Sequence, residues 1–199
     1  MNIEDFVTTE HGLTVRGASP DMLEELLVQY GALQRAAGYD PDEFLRPGAS
    51  RDEIVDAWAA WDVAVPEEAI RLWQWHDGYT PGRYPGTALD SVEQSVQRYN
   101  SEELGYGDFL WNPNWIPVAS MGGFVMNTRS EPPLVRGESG VRYGENWDQR
   151  VQVLSFCTVV AMGIYGREQG LFQLNDSGLP DTEASLWPRQ LEITKLYGW

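Results

Sequence analysis

The chain has 199 residues, 12% of them aromatic with nine Trp, and 30 acidic side chains against 14 basic ones give it a formal charge of −16. That length and aromatic content suit one folded domain with a sizeable core and exclude a disordered chain. The charge argues against nucleic-acid or anionic-membrane surfaces, which need Lys and Arg to neutralise phosphates; it points to a basic macromolecular partner, or simply to solubility.

In chain order, the opening MNIEDFVTTEHG has neither the basic start nor the apolar run of a signal peptide. Ser19 as cap and Pro20 in the first turn predict a helix in which Met22, Leu23, Leu26, Leu27, Tyr30 and Leu33 share one side, with Gly38 ending it. Such a stripe ordinarily faces its own domain, so this helix is expected to pack across the body; shaping a partner surface is the alternative. Tyr39 to Ala49, with two prolines and a glycine, reads as a connector. Ser50 and Glu53 have the spacing of a capping box, and Ile54, Ala57, Trp58 and Trp61 follow at helical steps. Pro66 suits the first position of the next helix, striped by Ala69, Leu72, Trp73 and His76, and Asp77-Gly78 supplies the stop.

Tyr79 to Ala88, around TPGRYPG, predicts an ordered surface loop carrying Tyr79 and Tyr84. Asp90 and Glu93 repeat the capping-box spacing before Val92, Val96 and Tyr99, which predicts a helix over 91–101. Glu102 to Trp111 is an acidic, glycine-broken loop. Trp115 to Ala119 and Phe124 to Thr128 predict a hairpin around Ser120 to Gly123, and Pro117 places its first strand at an edge or beside a bulge. Val141 to Tyr143 and Val151 to Leu154 predict further strands around a second acidic loop, Gly144 to Asp148. Phe156, Val159, Val160, Gly163 and Ile164 have helical spacing, against which stand the β-branched Thr158-Val159-Val160 and Gly163 itself. Gly170 to Leu174 reads as a strand entering a turn, and the apolar tail from Ala184 to Trp199 is expected to dock on the body or on another subunit. Cys157, the only cysteine, allows no internal disulfide, and no segment approaches the roughly 18 consecutive apolar residues of a membrane span. A cytoplasmic protein is expected.

Several of these blocks, in this order, carry a resemblance. Val65-Pro66, the aromatic stretch Leu72 to Trp75 and Asp77-Gly78 come first; Trp115-Ile116-Pro117-Val118-Ala119 with Gly122-Gly123-Phe124-Val125 comes second; Ser155-Phe156 comes third. Together they resemble the SUKH superfamily, proteins related to a yeast cell-wall-synthesis regulator and abundant as immunity proteins beside bacterial toxin genes. The resemblance covers roughly residues 50 to 175 and implies that the third block opens a helix. It also implies a protein that neutralises a toxin by binding it.

Each catalytic constellation in the sequence has a structural counterpart reading. His76-Asp77 with Cys157 could form a nucleophile triad, but Cys157 lies in an apolar string and His76 at a helix end, where packing and carbonyl contacts explain them. With two His and one Cys, a zinc site would have to be mostly carboxylate, and the glycine pairs complete no nucleotide-binding pattern. Glu67 and Glu68 follow Pro66 in a first turn, where negative charge complements the helix dipole. Trp73 shares the inward stripe; Trp75 is the freer ring.

The expectation is therefore an α+β fold, with N-terminal helices followed by a mostly antiparallel sheet and flanking helices, SUKH-like. It forms one domain over 1–199: a helical extension (1–49), the core (50–175) and a docking tail (176–199). The expected function is immunity-type occlusion of a basic protein, a toxin domain such as a nuclease, with no catalytic residue, cofactor or metal. The expected contacts are the aromatic, acidic loops: Trp75, Asp77, Tyr79, Tyr84, Glu102, Glu103, Asp108, Trp111, Glu145, Trp147 and Asp148. A regulatory or scaffolding module and a small-molecule-binding or hydrolytic domain are the alternatives.

Overall fold

Alternation in Phe6-Val7-Thr8-Thr9 and Gly12-Leu13-Thr14-Val15 puts Phe6, Leu13 and Val15 on one buried side, and the computed structural model pairs these segments as antiparallel strands β1 (Phe6–Thr9) and β2 (Gly12–Val15). The structure describes residues 1–9, 12–80, 89–103, 114–119, 124–127, 134–137 and 152–170. The expectation that helices lead is thus corrected: a short 3-10 turn, Ile3–Asp5, and this hairpin come first. The predicted strands at 141–143 and 170–174, the loops and the tail lie wholly or largely outside the described residues.

Helix α1 (Pro20–Ala36) starts where Ser19 Oγ accepts the Met22 N–H at 3.1 Å and ends at Gly38, whose φ of +86° is glycine territory. Its Leu23, Leu26 and Leu27 enter the common core, so the helix packs across the body as expected. The connector is more ordered than its composition suggests: α2 (Pro41–Phe44) and strand β3 (Leu45–Pro47) occupy it. The capping box forms at α3 (Arg51–Trp58), with Ser50 N–H donating to Glu53 Oε2 at 2.8 Å, and the helix stops before Trp61. Pro66 caps α4 (Glu67–Trp75) from just outside it, and Ala69, Ile70, Leu72 and Trp73 are buried.

Two further predictions need correction. His76 does not close α4; its backbone is extended and it begins strand β4 (His76–Tyr79), which pairs with β3. Helix α5 (Val92–Glu103) is boxed by Ser91 and Gln94 rather than Asp90 and Glu93: Ser91 N–H donates to Gln94 Oε1 at 2.9 Å and Gln94 N–H to Ser91 Oγ at 3.1 Å. Asp90 is instead buried and ion-paired with Arg98.

Among the described residues, strands β5 (Trp115–Ala119), β6 (Phe124–Asn127), β7 (Leu134–Gly137) and β8 (Gln152–Val153) join the hairpin in a six-stranded sheet in the order β1-β2-β8-β7-β6-β5. Its pairs are antiparallel except β2–β8, so the mostly antiparallel α+β expectation stands. Pro117 satisfies both parts of its prediction, since among the described residues β5 ends the sheet, bridged at Ala119 by Leu89, and its register shifts between Pro117 and Ala119. Helix α6 (Phe156–Glu168), capped by Ser155, forms despite its β-branched run because Phe156, Val160 and Ile164 are buried, and Gly163 lets the Tyr30 ring of α1 come close.

Helix α4 ties these parts together. At its start Glu68 accepts from Ser155 Oγ at 2.6 Å and from the Phe156 N–H at 2.8 Å. Further along, Trp73 Nε1 donates to the Asp90 carbonyl at 2.9 Å, and Asp90 N–H reaches the Val118 carbonyl at 3.1 Å. Helix α4 is thus bonded directly to the start of α6 and, through Asp90, to β5.

Candidate partner-binding surface

The sequence-selected contacts begin at the C-terminal end of α4. Trp75 is half-buried, its ring edge-on to His76 with centroids 4.4 Å apart, and its other side lies against Gly31 of α1. His76 is buried; its Nδ1 lies 2.8 Å from the Arg46 carbonyl, which can only accept, so that nitrogen carries the proton, and Nε2 stands 3.7 Å from Asp42 Oδ1. Asp77 is engaged internally: one oxygen accepts the Val92 N–H at 2.7 Å, holding the start of α5, and the other pairs with Arg46 at 3.1 Å. Tyr79 is half-buried and opposite Leu45 in the β3–β4 ribbon. Thus Trp75, Asp77 and Tyr79 are brought together, chiefly to fasten β4 against its neighbours.

Glu102 and Glu103 close α5, with side chains outside the described set. Tyr84, Asp108, Trp111, Glu145, Trp147 and Asp148 also lie outside it.

The triad of His76, Asp77 and Cys157 does not assemble. Cys157 sits beside the first turn of α4, where Glu68 caps α6, whereas His76 follows the last turn, about 12 Å further along the helix rise. The thiol donates to the Ser19 carbonyl at 3.0 Å; burial, with the Glu68 charge adding to it, pushes its pKa up to about 11. Among the described residues, no group of three or more His, Cys, Asp or Glu is arranged to hold a metal. No helix among them is long and apolar enough to cross a membrane.

Sequence reasoning misses two features. Glu68 lies in the first turn of its own helix as expected, but it is also a buried cap for α6; the only signal for that is its place in an otherwise inward run, Glu68-Ala69-Ile70. The second is an ion network across three helices. Arg71 of α4 reaches Glu24 at 3.1 Å and Asp21 at 3.6 Å on α1, and Glu67 at 3.4 Å on its own helix. Arg51 of α3 grips the same Glu67 with two hydrogen bonds, 2.8 and 2.7 Å, which holds that carboxyl below its usual range. Apart from the Glu67–Arg71 pair, four residues apart on one helix, these contacts join residues distant in sequence, so periodicity does not expose them. No family model matches this chain, and no curated protein matches it either.

Proposed function

We propose that this protein is an immunity-type protein that acts in the cytoplasm by binding a basic toxin domain, such as a nuclease, and blocking its electropositive cleft. The observation that carries the reading is the order of the three SUKH-like blocks along the sequence, taken together with the charge of the chain. Charge supports it: the acidic surplus falls mainly before residue 114, in the helix-rich part of the chain. Occlusion requires acidic side chains to fill space that substrate phosphates would occupy, and a protonated Cys157 remote from His76 is in keeping with a binding role.

The test is co-expression with each adjacent gene product, scoring rescue of growth and stable co-purification. Rescue with co-purification is expected. Co-purification without rescue would favour the scaffolding alternative, and neither with any neighbour would end the proposal.

A further inference from the structure

Helices α1 and α3 each turn an exposed face to solvent. On α1 it runs through Asp21, Glu24, Glu25 and Val28, and on α3 through Asp52, Val55 and Asp56, at steps of three and four residues; all are exposed. Val28 is 64% exposed and Val55 46%, among the few large apolar side chains of the described residues left open to water. Val28 lies one turn beyond Glu24 and Val55 one turn beyond Arg51. Glu24 and Arg51 are linked through Arg71 and Glu67, so ion pairs tie the α1 and α3 faces together across α4, each face with one exposed valine.

The chemistry of that surface selects its occupant. Carboxylates outnumber the two arginines, and those arginines are already engaged by the network. A second copy presenting the same face would meet like charge, and phosphates would be repelled. A cation-rich protein surface with an apolar residue to set beside the valines meets both requirements. We infer that the α1–α3 face is where the basic partner docks, which rests on the function proposed above and locates the contact on helices rather than on the aromatic loops.

The probe is a peptide of eight Arg around a central Trp, titrated into the full-length 15N-labelled protein. Shifts should concentrate at residues 21–32 and 51–59, and the paired substitution E25K/D56K should weaken binding at least 10-fold while E4K/E93K, with the same change of net charge, changes it less than 2-fold. Val28→Ser with Val55→Ser should remove the advantage of the Trp peptide over nona-arginine. Shifts centred elsewhere, or equal loss in both charge pairs, would overturn the inference. Should co-expression yield a neutralised toxin whose affinity E25K/D56K leaves unchanged, the docking face is wrong and the function stands. Peptide binding at this face with no toxin rescued has the opposite meaning: the face stands and the function falls.

Discussion

Glu68 illustrates how one side chain joins distant parts of the chain. Its carboxylate is buried and takes both the Phe156 N–H and the Ser155 hydroxyl, and the same hydroxyl oxygen accepts the Cys157 N–H at 3.0 Å. Removing it strands a buried backbone donor at the start of α6, so Glu68→Ala should cost about 3 kcal/mol in urea unfolding, and Glu68→Gln, which keeps an acceptor, about 1 kcal/mol. Equal small losses in both would show that water substitutes for the carboxylate. Cys157 gives a pH expectation at the same spot. Its pKa is raised to about 11, so the fold holds the neutral thiol; that contribution is complete below the ordinary thiol range and is lost as pH rises through about 11. At pH 8 it carries about 100-fold less thiolate than an ordinary cysteine, and iodoacetamide should label it at least that much more slowly in the native than in the unfolded protein. Comparable rates would mean the α6 start opens readily.

At the scale of elements, the close approaches of the chain to α4 and to the start of α5 are each set by a glycine. A Cβ on Gly48 would lie 1.8 Å from the Gln74 carbonyl oxygen, and one on Gly78, at φ +79°, would lie 2.6 Å from the Ser91 nitrogen. Both obstacles are backbone and cannot rotate away. Gly38 has a similar positive φ but open space around it. Gly38→Ala should therefore cost only the conformational strain, about 1 to 2 kcal/mol, and Gly48→Ala clearly more, about 3 kcal/mol or above, by chemical denaturation. A reversed order would mean β3 can lift off α4 cheaply. The same contacts explain what is legible in the sequence. Ser19 and Ser50 announce helix starts because a cap is a local hydrogen bond, the start at Ser155 is implied only by the resemblance, and Pro117 announces an edge because it lacks a donor. Strands β1, β3 and β4 leave no such mark: each has three or four residues and is stabilised by pairing with partners fixed elsewhere in the fold. His76 reads as helical because its stripe spacing is right, while its ring is held by Arg46 across the β3–β4 ribbon. The acidic loops stand out by composition; the α1–α3 face depends on which helices lie side by side, which no window of sequence reports.

For the molecule as a whole, salt should act in opposite directions on stability and on binding. Individual ion pairs such as Arg51–Glu67 are partly exposed and worth about 0 to 1 kcal/mol each, so screening them loses little. The surplus of −16 is a larger matter, because like charges repel across the whole surface and at low salt the screening length is about 30 Å, comparable with the protein itself. Raising NaCl from about 10 mM to 0.5 M should therefore raise the melting temperature by several degrees. Over the same range, association with a cationic partner should slow about 10-fold or more, since the field that strains the fold also draws the partner in. Scanning calorimetry and stopped-flow mixing test the two halves separately. If the melting temperature falls with salt, the network around Arg71 outweighs the repulsion and the carboxylates must be well dispersed. If it rises while association stays flat, the negative charge serves solubility alone and the docking argument loses its electrostatic half.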